Sequence, residues 1–294
     1  MRPFPAGLGV ALVTPFDSDA NVDFDALSAL VEHVVCGGVD YVVALGTTAE
    51  TPALFINERI AVLNAVKRCV RKRVPVVAGI GGNNTAAVIK SLHDFDLDGV
   101  DAILSVTPFY NKPSQRGLYE HFMAVAKNSP VPVILYNIPS RTGINMDPET
   151  TLKLAHDADN IIGIKEACGK IDQIKFIVDN RPDDFFVISG DDSLACDIMA
   201  LGGDGLISVA ANAFPNVMER MISDCRNGHF NNAAECGLRL KPMIDCLFAE
   251  CNPTGIKAAL ALKGIIRNNL RLPLVAATEQ LSMNIGSLMS TLGL

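Results

Sequence analysis

Residues 131–166 read VPVILYNIPSRTGINMDPETTLKLAHDADNIIGIKE. Two short apolar runs, Val131 to Tyr136 and Ile161 to Lys165, flank a stretch of helical pattern. Continuous apolar runs of strand length suit strands buried on both faces, so the segment reads as one βαβ unit of a parallel sheet. Outward from it the pattern recurs. Strand-length runs occur at Gly9 to Thr14, Tyr41 to Leu45, Val74 to Ala78, Ala102 to Val106, Phe185 to Ser189 and Gly205 to Val209, each followed by a helical stretch. Val74-Pro75-Val76-Val77 echoes Val131-Pro132-Val133-Ile134, and Gly38-Val39-Asp40 echoes Gly99-Val100-Asp101 where a helix gives way to a strand. Eight successive right-handed βα units close into a barrel. The predicted fold is therefore α/β, a (β/α)8 TIM barrel. An open dinucleotide-binding sheet is disfavoured, because the first turn, Thr14-Pro15-Phe16-Asp17, has no glycine fingerprint.

Past residue 226 the strand runs stop. Asn231 to Ala249, Pro253 to Asn268 and Thr278 to Leu292 read as three helices. The expected organisation is a catalytic barrel over residues 1–226 and a C-terminal three-helix appendage over 227–294, packed against the barrel.

The 294 residues carry 49% hydrophobic and 19% charged side chains, the balance of a compact folded chain. A net charge of -7, with the densest basic cluster at Lys67 to Arg73 reading as a helix end, argues against nucleic-acid binding. Met1 to Pro5 leads straight into a strand pattern without a signal-peptide apolar region, and no run approaches membrane-spanning length. A cytoplasmic protein off the membrane is expected. The eight cysteines form no Cys-x-x-Cys pair and read as reduced thiols, and the five scattered histidines offer no zinc spacing, so no metal is expected.

In such a barrel the chemistry lies where strands end and βα loops begin. Lys165 closes the sixth run with apolar residues below it, and desolvation there favours the neutral amine, the form that attacks a ketone carbonyl. Position alone equally allows a solvated lysine or one paired with Glu166. Tyr136, Thr47 and Tyr110 end neighbouring runs and could relay protons while a carbinolamine loses water, although a tyrosine with a wet tip or a capping threonine is the plainer reading of each. Arg141, in the turn after the fifth run, could hold a carboxylate in a bidentate grip or lie idle on a surface loop. Gly79-Ile80-Gly81-Gly82-Asn83-Asn84-Thr85 lacks the ending of a phosphate loop, so its glycines are expected to allow tight turning and close packing, with Asn or Thr capping a helix. Ser189-Gly190-Asp191-Asp192 could present backbone groups to a ligand, with Asp192 equally readable as a helix cap.

These pieces, in this order, resemble the pyruvate-dependent Schiff-base aldolase family, which includes the dihydrodipicolinate synthases and N-acetylneuraminate lyase. The likeness covers nearly the whole chain and is carried by Gly46-Thr47-Thr48-Ala49-Glu50, Val106 to Gln115, Tyr136 to Gly143, Gly163 to Ala167 and Ser189 to Asp192. It implies an imine between Lys165 and pyruvate, a relay of Tyr136, Thr47 and Tyr110, pyruvate-carboxylate recognition at Thr48, and Arg141 on the carboxylate of L-aspartate 4-semialdehyde. Gly190 and Ile207 match backbone positions near the substrates. No cofactor is implied, and the usual assembly is a homotetramer built as a dimer of dimers, with the counterpart of Tyr110 reaching into a neighbour's site. Ala49 stands where the motif commonly has glycine, a small change unless the position needs a positive φ. Phe109, Ala87 and Ile56 replace the tyrosine, glutamate and histidine frequent in the lysine-binding cleft of relatives, which implies weak or absent feedback inhibition by lysine. Two rival expectations are a sialic acid or keto-deoxy sugar acid lyase and a non-catalytic keto-acid sensor.

Overall fold

The computed structural model describes Phe4 and residues 6–294, so Met1 to Pro3 and Pro5, read above as leading into the first strand, lie outside the described residues. Eight strands, β1 (Gly7–Ala11), β2 (Tyr41–Ala44), β3 (Val76–Gly79), β4 (Ala102–Val106), β5 (Val133–Asn137), β6 (Ile161–Glu166), β7 (Phe186–Ser189) and β8 (Gly205–Ser208), follow one another in a closed barrel. Helices alternate with them: α1 (Phe24–Cys36), α2 (Ile56–Val70), α3 (Thr85–Asp94), α4 (Gln115–Asn128), the short α5 (Pro139–Thr142) with α6 (Pro148–Asp157), α7 (Ile171–Asn180), α8 (Ala195–Ala200) and α9 (Pro215–Arg226). Three more close the chain, α10 (Phe230–Phe248), α11 (Thr254–Leu262) and α12 (Glu279–Leu292). The chain packs as two compact units, one built on Val77–Ile207 and the other on Gly7–Val76 with Ser208–Leu294.

All eight expected runs are strands, with ends that move for identifiable reasons. Pro75 and Pro132 have no N–H to give a ladder, so β3 and β5 begin beyond them, while their carbonyls still accept from Val42 and Ile103 at 3.0 and 2.8 Å. β1 stops before Thr14 because side chains take over as partners. Asn212 Oδ1 accepts from Val13 N–H at 3.1 Å, and Thr14 Oγ1 donates to the Ala49 carbonyl at 2.8 Å. Lys67 to Arg73 is indeed a helix end, with Arg71 as the left-handed C-cap of α2.

In the first unit β5 and β6 pair through an irregularity between Val133 and Ile134. Val133 faces Ile161 and Ile134 faces Gly163, so Ile162 is passed over. Downstream of that bulge Tyr136 aligns with Lys165 and Asn137 with Glu166. An unbroken register would set Tyr136 beside Ile164, so the bulge re-aims the end of β6. Because successive side chains point to opposite faces, Lys165 and Glu166 look in opposite directions. The Glu166 carboxylate meets Gln173 of α7 on the outer, helix-covered face, so Lys165 faces the barrel interior.

In the second unit the C-terminal segment is tied to the loops after β1 and β2. Asn269 Nδ2 donates to the Asp17 carbonyl at 2.7 Å, and Arg271 reaches Glu58 and the Ala53 carbonyl at 2.6 and 3.0 Å. Beneath them Lys257 forms a buried ion pair with Glu50.

Candidate active site

Lys165 is only 5% exposed, and its ammonium nitrogen stands 4.4 Å from the centre of the Tyr136 ring. The expected neighbours on β5 and β6 are therefore brought side by side. Gly190 makes the room. A Cβ there would lie 3.0 Å from Lys165 Cε and 2.8 Å from Ala167 Cβ, so a side chain at this position would push the lysine stem aside. Its N–H also bonds the Glu166 carbonyl at 2.8 Å, fixing the approach of the loop after β7. Ile207, on β8, is buried.

Arg141 sits exposed in the single turn of α5, which Gly143 ends with a left-handed backbone at φ 75. Thr142 braces this turn by donating to the carbonyls of Ile138 and Ile144 at 3.1 and 2.9 Å. The Thr142 carbonyl in turn accepts from Tyr110 N–H at 3.3 Å, which ties the loop after β4 to the arginine's turn. The Tyr110 side chain is 88% exposed and its φ is 74, so this residue stands out from its own unit instead of packing into it.

Thr47 and Thr48 belong to the second unit, in a turn of 3₁₀ helix directly after β2. Thr48 is buried and its Oγ1 accepts from Asn252 Nδ2 at 2.9 Å. Accepting that bond leaves the hydroxyl's own proton available to donate. Left-handed backbone falls at Leu45 and Glu50, on either side of the turn, while Ala49 is not among the positive-φ residues, so the methyl group there meets no such strain.

The pairing of Lys165 with Glu166 allowed by the sequence does not occur. Glu166 instead accepts from Asn137 Nδ2 at 3.0 and 3.2 Å, from Cys168 N–H at 2.9 Å and from Gln173 Nε2 at 3.2 Å. Burial raises its proton affinity and these bonds oppose the rise. Burial, followed by the adjoining Glu166 carboxylate, pushes the Cys168 thiol up to about 12, which removes it as a nucleophile at neutral pH. Asp192 does not hold the N-cap position of the helix after β7. Leu194 occupies that position in α8, and Ser193 N–H bonds Asp191 Oδ1 at 2.8 Å. The glycines after β3 serve packing and turning: a Cβ on Gly81 would come within 2.8 Å of Val106 N, and the Asn84 side chain caps α3. Among the described residues no group of acidic, His and Cys side chains is arranged to hold a metal, and none of the eight cysteines is in a disulfide.

Sequence reasoning missed Asn137, Glu166 as a network centre, Asn252 and Lys257. Only Asn137 and Glu166 carried a local signal, each directly following a residue already singled out.

A sequence model of the dihydrodipicolinate synthetase family matches residues 5–292. The chain belongs to the dihydrodipicolinate synthetase family. It is 49% identical over 273 residues to the 4-hydroxy-tetrahydrodipicolinate synthase of Azobacteroides pseudotrichonymphae, covering 93% of this chain and 92% of that one. The crystal structure of dihydrodipicolinate synthase from Thermotoga maritima superposes with a TM-score of 0.96 at 37% identity, covering 98% of both chains. The same enzyme from Cyanidioschyzon merolae, solved with lysine bound, gives a TM-score of 0.96 at 36% identity over 99% of each chain. These two solved structures share the fold of this chain over nearly its whole length. Among the described residues no helix is long and apolar enough to cross a membrane.

Proposed function

We propose that this chain is a cytoplasmic enzyme that condenses pyruvate with L-aspartate 4-semialdehyde to 4-hydroxy-tetrahydrodipicolinate, in the diaminopimelate route to lysine. The observation that carries this reading is the buried Lys165 amine beside the Tyr136 ring at the ends of paired strands. Lys165 Nζ adds to the ketone carbon of pyruvate, and the carbinolamine loses water to an imine. Loss of a methyl proton gives an enamine whose carbon attacks the aldehyde. The amine of the second substrate then displaces Lys165 and closes the ring, returning the lysine free. The lysine is the electron sink, so the scheme needs no cofactor.

Tyr136, Thr47 and Tyr110 are assigned the proton relay, Tyr110 from a neighbouring copy in keeping with its outward position. Thr48 takes the pyruvate carboxylate with its free hydroxyl proton, and backbone at Gly190 and Ile207 lines the substrates. Arg141 takes the carboxylate of the semialdehyde; a bidentate grip of this kind suits a short acid better than a polyhydroxylated chain. The assembly is a homotetramer of two dimers, each chain comprising a catalytic barrel over 1–226 and a helical appendage over 227–294. With Phe109, Ala87 and Ile56 in place, lysine inhibits weakly or not at all, and half-inhibition at micromolar lysine would contradict that. Turnover against a panel of aldehydes tests the main reading. L-aspartate 4-semialdehyde is expected to be consumed and sugar aldehydes ignored, whereas preference for a sugar aldehyde would make this a sugar-acid lyase.

A further inference from the structure

We propose that Glu166 is a positioning residue for the second substrate, holding from the outer face of β6 the turn that presents Arg141. The inference rests on the assignment of Arg141 to the semialdehyde carboxylate. Its basis is the network on the side of the strands away from Lys165. Asn137, the register partner of Glu166, spans both carboxylate oxygens with its amide nitrogen and accepts Met146 N–H on its own Oδ1 at 3.0 Å. Residues 137 and 146 bracket the turn containing Arg141, so one amide closes the turn at its base. Gln173 also donates to Glu166 Oε2 at 3.2 Å and accepts from Asn145 Nδ2 at 2.9 Å, while Gln115 of α4 donates to the Asn145 carbonyl at 2.8 Å.

Every hydrogen-bonding group that meets the carboxylate is a donor, and all are neutral. A carboxylate is the side chain that offers only acceptors, so the site is matched to it in a way that an amide of the same shape cannot reproduce. Among the described residues no cationic side chain is hydrogen-bonded to it. A group kept at that cost, and devoted to one loop base, sets the position of what the loop carries. The Lys165 amine lies on the opposite face, where the strand ladder and Gly190 fix it independently of the network. Loss of Glu166 therefore reaches the arginine's substrate before it reaches imine formation.

The test is Glu166→Gln in the full chain, with both Michaelis constants and borohydride trapping of pyruvate measured beside the wild type. The amide nitrogen would face existing donors, and a misaligned arginine grip is expected to raise KM for the semialdehyde about tenfold, equivalent to roughly 1.4 kcal/mol. KM for pyruvate stays within about twofold and trapping persists, because those steps use the other face. If Glu166→Gln gives no folded protein, Gln173→Ala removes one donor to the carboxylate together with the bonds to Asn145 and Met146, and should raise the same KM about twofold to threefold. An unchanged semialdehyde KM, or an equal rise in both constants, overturns the proposal. Wild-type protein that fails to trap pyruvate would instead remove the reading of the site on which the proposal stands.

Discussion

Glu50 and Glu166 are two buried carboxylates, each at or just beyond the C-terminal end of a strand, and the protein satisfies them by different means. Glu50 follows Thr47-Thr48-Ala49 in a left-handed backbone. It is paired with the fully buried Lys257 and accepts Arg271 N–H at 3.0 Å. Lys257 also donates to the Asn269 carbonyl at 2.9 Å and sits 4.2 Å from the centre of the Phe16 ring. Glu166 is held by the side-chain amides of Asn137 and Gln173 and by the backbone N–H and thiol of Cys168. The contrast teaches what each region depends on. The threonine turn is fixed by a cation supplied from the distant C-terminal segment, whereas the arginine turn is fixed by neutral groups close by in sequence, on β5, β6 and α7.

The largest expected consequence is at the ion pair. Lys257→Met leaves the Glu50 carboxylate buried without its cation and should destabilise the fold by about 3–5 kcal/mol, read as a fall in the urea midpoint. Adding Glu50→Gln should return part of it. A cost below about 1 kcal/mol for the single variant would show that the pair does not hold this region. Glu166→Gln, which breaks neutral-donor bonds and leaves no unpaired charge, should cost about 1–3 kcal/mol by the same measurement.

Their pH responses should run in opposite directions. Burial pulls Lys257 down to about 8 from an ordinary value of 10.5 despite the opposing pull of Glu50. Between those values the unfolded chain holds the extra proton, so the stability contributed by this group is present above pH 10.5 and is lost as pH falls through about 8. Glu166 is shifted upward, so its contribution is present below the ordinary carboxylate value of 4.5 and is lost as pH rises through its raised value. Differences between wild type and each variant across pH isolate the two terms, and slopes of the same sign would break the comparison.

The smallest effect is at Asn252. Asn252→Ala removes the donor to Thr48 and should cost about 1 kcal/mol in stability, with KM for pyruvate rising and KM for the semialdehyde little changed. A rise confined to the semialdehyde would detach Thr48 from the pyruvate carboxylate.

The barrel was legible because buried parallel strands are continuous apolar runs, and Val131 to Tyr136 or Ile161 to Lys165 can scarcely be read otherwise. Errors fell at Pro75, Pro132 and Thr14, where a missing N–H or a side-chain partner ends the ladder. Lys165, Tyr136 and Arg141 were visible as polar groups at run ends. What was hidden is register: whether Tyr136 lies beside Lys165 or beside Ile164 depends on the residue passed over at Ile162, and that is not written in local sequence. Asn252 and Lys257 were hidden for a different reason. Their partners lie some two hundred positions away, and an asparagine in the break between two helices looks like a turn residue, a lysine within a helical pattern like ordinary surface.

The most direct test of the central claim is borohydride reduction of the wild-type protein with pyruvate, followed by peptide mass analysis. One reduced pyruvate bound to Lys165 is expected, absent without pyruvate and absent in Lys165→Arg. No adduct, or an adduct on another lysine, would contradict it.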